Sequence, residues 1–587
     1  MERQDADEEA IQRRVADLEQ RFGDPADPGN PLRSEEFLDA DAREQLLPAG
    51  ERMLDGFGLN AEFVPRALGG RLDRLDTMAR VLRTVFRRDA ALGLGYGVSS
   101  FLGAVVVWAA GSPEQQRRTA ALLDSGGRVA GAYPELARGS DFLHNEFDAR
   151  RARGGGYLLT GSKEAFNNVD RAGALVLFAR TGEGRRSHSA LLVEPAALPA
   201  ARVERLPRHS TLGVRGCLVG GIRFHGCPIP GSALLGEPGQ GLDLALRAFP
   251  ITRSAGPSMA LGCADTALRT AVASTLARGG RDPLRTAHIR SVLTGAFVDL
   301  LICDCLALVA TRAVHLLPED SGPAAAAVKY LLPQLLTEAG YDLSTVLGSQ
   351  FYLRQGEFGV FQKNVRDLPM IGLGPAGSAA CRATVVPQLP RLARTSWFVD
   401  PEPPGALFRL REGGLPPLDP NRLEPSAAAD PLAAALLAAD AALQHEAESG
   451  ADGPLRRLAG LSAQLVDELA QLRKTALALD ADGGSALANP RSNALADRYA
   501  LVLAGAAVLG VRRFQQTGGD GFLTDPAWAE AALLRIVRRL GGALVKLPPD
   551  CEERLLGEVV ARYREARSYD LYDTQLAGPP AEVRSDP

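Results

Sequence analysis

Residues 366–382 read RDLPMIGLGPAGSAACR, and the order of residue types in this stretch decides the fold. Arg366 and Asp367 stand together at its head, and an apolar, strand-like run follows to Leu373. Gly374-Pro375-Ala376-Gly377 is a turn of small residues, and Ser378 and Arg382 close the stretch. Pro375 has no side-chain lone pair, so the middle of the turn offers no group that could take up a proton.

The chain around it has 587 residues, of which 46% are hydrophobic, and a net charge of −4. That length accommodates about three or four domains of ordinary size with sizeable cores. A charge so close to neutral, without a basic block, argues against a nucleic-acid partner. Seven scattered cysteines (Cys217, Cys227, Cys263, Cys303, Cys305, Cys381 and Cys551) form no CxxC pair, which supports neither a zinc site nor a disulfide framework. They read as reduced thiols of a cytoplasmic protein. The opening MERQDADEEAIQRR is acidic and lacks the apolar core of a signal peptide. The uncharged run 90–113, AALGLGYGVSSFLGAVVVWAAGSP, approaches the length of a membrane span. Its glycines and serines favour two buried helical segments broken near Val98–Ser100, and no transmembrane segment is expected.

The texture of the chain changes several times. Residues 1–40 are an acidic lead-in, and 41–130 have a helical pattern with a start signal at Ser112-Pro113 and a stop at Gly126-Gly127. From 131 to 240, short alternating runs separated by glycine-rich turns predict strands. Residues 241–395 return to helices. The Pro-rich segment 396–431 reads as a linker, and 432–570 is Ala/Leu/Arg-rich and helical before a tail at 571–587.

Three short motifs precede the quoted stretch: YPELARGSD at 133–141, GSKEAFNN at 161–168 and FPITR at 249–253, the last opening a helix. Their order resembles the acyl-CoA dehydrogenase family over about residues 50–395. The resemblance implies an α+β chain with an N-terminal helical domain, a middle β-barrel and a C-terminal four-helix bundle. Residues 432–570 would be an extra helical domain, similar to that of the very-long-chain branch. It implies FAD as cofactor and an acyl thioester, on CoA or an acyl carrier protein, as substrate. It further implies a flavin site shared across a homodimer or a heteromer with a paralogue.

Carried over by position, Glu135, Gly139, Ser140 and Asn167 fall at the flavin, and Ser140, Phe249 and Arg253 at the substrate. Arg278, His288 and Gln350 fall at the far half of the FAD. The departures concern chemistry. Pro134 replaces a flavin-binding threonine, Ala165 a shielding tryptophan and Leu353-Arg354 a Gly-Gly pair. Both positions at which the family carries its glutamate base are empty of carboxylate, being Thr252 and Pro375. Glu357, expected in the loop before Arg366, is a sequence-near substitute. Three readings stay open: an acyl thioester α,β-dehydrogenase with a relocated base, a non-catalytic or half-catalytic subunit paired with a base-bearing paralogue, and a flavin monooxygenase on the same fold.

Overall fold

The computed structural model describes residues 2–133, 135–139, 145–184, 187–278, 283–373, 377–449, 453–479, 489–515, 521–543 and 546–578. Helices occupy the first part of the chain. Leu75–Arg88 (α1) buries nearly every residue, including Arg80, Arg83 and Arg87, because each guanidinium meets a carboxylate. The run after it is a single helical path. A π-helical turn spans Gly93–Val98 and passes directly into Ser99–Ala110 (α2), so the break expected near Val98–Ser100 does not occur. The wide turn frees the Gly95 carbonyl, which accepts hydrogen bonds from Asn168 Nδ2 at 2.7 Å and Arg171 Nη2 at 3.1 Å. Glycine is required there on steric grounds. A Cβ at Gly97 would lie 2.8 Å from the Phe63 ring. The next helix, Pro113–Asp124, opens on a capping box between Ser112 and Gln115, and Gly126 follows it at φ +80°.

Among the described residues eight strands follow: β1 Val129–Ala132, β2 Asp148–Arg151, β3 Tyr157–Asn167, β4 Ala174–Arg180, β5 His188–Val193, β6 Val203–Leu206, β7 Val219–Ile229 and β8 Leu234–Leu235. They form one sheet in the order β6-β7-β3-β2-β4-β5-β8, with β1 parallel to β4. The sheet encloses its own small core around Phe147, Leu159, Leu175 and Phe224. The β3–β7 ladder slips register between Lys163 and Phe166. A bulge of this kind re-aims the residues beside it. Here these are Ala165, Phe166 and Asn167.

Four long helices come next: Gly241–Leu276 (α3), Ala287–Leu316 (α4), Gly322–Leu347 (α5) and Gly356–Leu373 (α6). Two local expectations change. The residues after Asp367 are not strand-like but the last turns of α6, with Pro369 inside the helix. An apolar run this short cannot be told apart by periodicity, and packing decides it. Likewise FPITR does not open a helix, since α3 begins at Gly241 and carries Pro250 in its interior.

Residues 396–431 are held tightly along this body. Arg312 of α4, fully buried, donates to the carbonyls of Ala406, Arg409 and Leu410 and also pairs with Asp76 at 3.0 Å. Asp430 accepts from Trp397 Nε1 at 2.7 Å and Tyr499 Oη at 2.6 Å. The six helices described from Pro431 to Arg564, Pro490–Gln515 (α7) among them, share one hydrophobic core with α3, α4 and α5. The chain then returns across α3 and α4, where the Tyr569 and Leu571 amides donate to Asp265 and Asp304, each at 2.8 Å. By length and composition, three helical stretches among the described residues could cross a membrane, 90–110, α4 and α7, and at least 83% of the most apolar 18-residue window of each is buried inside the protein.

Candidate active site

A cavity of about 330 Å³ lies where α2, the β3 bulge, α3, α5 and the end of α6 meet. Its walls are mostly apolar, from Phe86, Leu102, Phe166, Val219 and Met370. The bulge brings Asn167 to the rim, where its Nδ2 donates to Ser99 Oγ at 2.6 Å. Its Oδ1 accepts from the Asn168 amide at 3.0 Å. Asn168 holds φ +64°, a conformation that asparagine tolerates better than most residues. Tyr133 forms part of the wall and stacks on Phe178 at 4.5 Å between centroids. At Gly256 of α3 a Cβ would meet nothing within 4 Å, so the helix leaves that space open.

The polar end of the cavity is cationic. Arg253 is buried, with its guanidinium 4.8 Å above the Phe249 ring. Its Nη1 donates to Thr384 Oγ1 at 2.9 Å, whereas its Nε is buried without a partner. Lys329 of α5 is also buried, and its Nζ donates to the Ile371 carbonyl at 2.5 Å near the end of α6. Burial, without a countering carboxylate, pulls the Arg253 guanidinium below its ordinary value and pushes Lys329 down to about 8. No carboxylate lines this cavity among the described residues.

The structure sorts the residues expected from sequence. Asn167, Phe249, Thr252 and Arg253 converge on the cavity with Ala165. Thr252 Oγ1 is turned to the Phe249 carbonyl at 3.3 Å. Glu135 does not line it. Its carboxylate accepts from the Glu146 and Phe147 amides, each at 2.8 Å, and from Lys163 Nζ at 3.3 Å, which anchors the chain entering β2. Gly139 follows at φ +55° in an exposed turn. Arg278, His288 and Gln350 gather where α3 and α5 end and α4 begins. There Arg278 donates to the Val346 carbonyl, His288 Nε2 meets Thr345 Oγ1 at 3.0 Å and Gln350 Oε1 accepts from Ser274 at 2.8 Å. Glu357 is not in a loop but in the first turn of α6, and it lines a different cleft beside Arg269 and Tyr563. Pro134, Ser140 and Pro375 lie outside the described residues.

Lys329 and Ser99 were not found from sequence. The one signal for Lys329 was its position as the single charge in the run 321–337, SGPAAAAVKYLLPQLLT.

Arg366 and Asp367 serve a neighbouring clamp. Asp367 accepts from Lys363 Nζ and the Val214 amide, each at 2.8 Å, and Arg366 grips Asp41 at 2.6 and 2.9 Å. The loop at Gly213 packs so closely that a Cβ would sit 2.9 Å from Asp367 Oδ1.

No family model matches the chain. The human mitochondrial short-chain specific acyl-CoA dehydrogenase is 34% identical over 237 residues, 39% of this chain and 56% of its own length. The chain thus spans about half the length of the curated relatives it matches. The Bacillus anthracis acyl-CoA dehydrogenase complexed with FAD superposes with a TM-score of 0.69 at 17% identity, covering 98% of this chain and 92% of its own. The prolyl acyl carrier protein oxidase AnaB gives 0.57 at 17% identity, over 64% of this chain and 98% of its own.

Proposed function

From a chain with the acyl-CoA dehydrogenase fold, whose curated relatives are acyl-CoA dehydrogenases, we propose an FAD-dependent oxidoreductase acting on the α,β-carbons of an acyl thioester. The observation that carries the reading is the convergence of Asn167, Phe249, Thr252 and Arg253 on one apolar cavity. These residues come from motifs far apart in the chain.

The residues present fit a flavin. The slot has apolar walls for a flat ring, an amide and a hydroxyl at its rim in Asn167 and Ser99, and an orphaned buried donor in Arg253 Nε. Asn167 and Ser99 would hold the ring. Arg278, His288 and Gln350 would hold the far half of the FAD, completed by a second chain. Bound FAD would supply the two-electron acceptor for the β-hydride. The chain's own contribution is to exclude water with the Phe86, Leu102 and Phe166 walls and to orient the thioester beside Arg253. Either CoA or an acyl carrier protein would deliver the acyl group.

The test is the flavin content of the pure protein, followed by anaerobic bleaching of flavin absorbance by acyl-CoA and acyl-pantetheine thioesters. The reading expects about one FAD per chain and bleaching by at least one thioester series. A pure, folded protein without flavin that acquires none on reconstitution would overturn it. A second reading, a half-catalytic subunit, is favoured by the lack of a carboxylate at the cavity among the described residues. It expects flavin loading and turnover only after co-expression with a base-bearing paralogue.

A further inference from the structure

The cavity contains two buried cations and, among the described residues, no acid. Such an arrangement is costly, because a buried charge without a partner is poorly solvated. It is relieved when one of the two gives up its proton. Arginine does not do so in proteins, whereas lysine does readily. Lys329 is therefore the group that can exist as a free base here.

Its surroundings allow that state. The groups facing it are the Arg253 guanidinium on α3 and the Cys381 thiol on the helix Ser378–Val385. Arg253 disfavours a second positive charge, and burial keeps Cys381 above the ordinary thiol range and so uncharged near neutrality. The bond to the Ile371 carbonyl survives deprotonation, since a neutral amine still has N–H groups to donate. That bond holds the nitrogen in place and leaves its lone pair available to the cavity. Lys329 also shares the cavity with Thr252, one of the two positions from which the base was expected.

We propose that the Lys329 amine is the base that removes the α-proton of the acyl thioester, replacing the carboxylate absent from positions 252 and 375. This rests on the oxidoreductase reading above. In the step the α-C–H bond breaks, and its proton forms an N–H bond to make the ammonium. The electron pair left at the α-carbon becomes the α,β double bond as the β-hydrogen departs, with its own pair, to the flavin. The ammonium then returns its proton to solvent on product release. With the amine titrating near 8, about a tenth of the chains would hold the free base at pH 7 and about nine-tenths at pH 9.

The experiment separates proton removal from oxidation. Methylthioacetyl-CoA and the matching pantetheine thioester have an α-proton but a sulfur at the β-position, so no hydride can leave. The FAD-loaded full chain is incubated with each in D2O from pH 6 to 10, and α-deuterium is read by mass spectrometry. Wild type is compared with Lys329→Met and with Lys329→Arg, which keeps the charge and the bond to Ile371 but is no base. In parallel, acetic anhydride labelling of Lys329 in wild type is followed against pH by peptide mapping. The proposal expects exchange that rises with a midpoint near pH 8 and falls at least about 10²-fold in both variants while FAD content is unchanged. It expects labelling with the same midpoint. Exchange within about threefold of wild type in a flavin-loaded variant would overturn it and leave the oxidoreductase reading standing. Labelling with a midpoint near 10.5, or no labelling across the range, would overturn it without any variant. A wild type that holds no FAD and exchanges nothing would remove the oxidoreductase reading, and the assignment of Lys329 with it.

Discussion

Two lysines of the helical bundle are almost equally buried and have opposite acid–base character. Lys363 of α6 is 5% exposed and Lys329 of α5 is 8% exposed. Lys363 lies 2.6 Å from Asp89 and 2.8 Å from Asp367, with Arg366 bridging Asp367 to Asp41 beside it. Burial alone would lower Lys363, but the nearby carboxylates outweigh it and hold the ammonium above its ordinary range. Around Lys329 burial has no such opponent, and the group is pushed down to about 8. Depth does not separate a structural ammonium from a candidate base. The presence of a carboxylate within contact does.

Removing the carboxylate should therefore do most harm in the clamp. Asp367→Ala leaves Lys363 and Arg366 short of their shared partner and the Val214 amide without an acceptor. Breaking a buried pair from one side typically costs about 3–5 kcal/mol. Urea unfolding at pH 7 should show a loss of that size. Asp367 is held below the usual carboxylate range, so the stability it contributes is present above its unfolded value and is lost as pH falls through the folded one. Wild type should thus lose its advantage over Asp367→Ala in acid.

The cavity should behave in the reverse sense. Lys329→Met removes a charge that burial penalises. The shift from 10.5 to about 8 is worth about 3 kcal/mol, and the lost bond to Ile371 returns about 1, a net gain of about 2 kcal/mol at pH 7. Between about pH 8 and 10.5 the unfolded chain holds a proton at Lys329 that the folded chain does not, so wild type gains stability as pH rises. The advantage of Lys329→Met should shrink across that window and turn into a deficit of about 1 kcal/mol above it, where only the lost bond to Ile371 counts. A variant that is destabilised at pH 7 would show that Lys329 is a structural ammonium after all.

The sequence was informative where chemistry is tied to spacing. The order GSD, GSK, TR and RD pointed to the fold, and residues 167, 249, 252 and 253 do meet. It was uninformative where function depends on contacts between distant helices. Lys329 sits in an Ala-rich helix with no motif around it, and its importance depends on Arg253, Cys381 and Ile371. The clamp was half legible, since Arg366 and Asp367 stand at family spacing while Asp41, Asp89 and Lys363 gave no signal. Residues 396–431 read as a linker because proline and glycine hide periodicity. What holds the segment down is its own backbone carbonyls, three of them bound to Arg312.

A carboxylate can be introduced to give the cavity what the clamp has. Thr252 lines the wall beside Arg253, so Thr252→Glu places an acid within the same space. An opposite charge at contact distance raises a lysine by about 1–3 pH units. The labelling midpoint of Lys329 should rise by at least about one unit, toward the behaviour of Lys363. An unchanged midpoint would mean that Lys329 and position 252 do not share one electrostatic environment.

The smallest effect belongs to Glu357, and its smallness is the point. The contrast between clamp and cavity requires that no acid reach Lys329 from a neighbouring element. Glu357 is the sequence-near candidate for such an acid. It lies instead in the first turn of α6, exposed to solvent, and lines the cleft that contains Arg269 and Tyr563. Lys329 bonds a carbonyl at the other end of the same helix. Fourteen residues separate Glu357 from Ile371, which at about 1.5 Å of rise per residue is about 21 Å of helix. Across about two Debye lengths at physiological ionic strength, its charge has little hold on the cavity. Glu357→Gln should therefore leave α-deuterium exchange within about twofold of wild type and the labelling midpoint of Lys329 unmoved. Stability should change by no more than about 0.5 kcal/mol, as for other exposed substitutions. Should exchange instead fall by about 10²-fold while Lys329→Arg stays active, the base would be Glu357, brought to the cavity by a rearrangement of α6. The contrast between the two lysines would then describe the resting state only, and not the state that reacts.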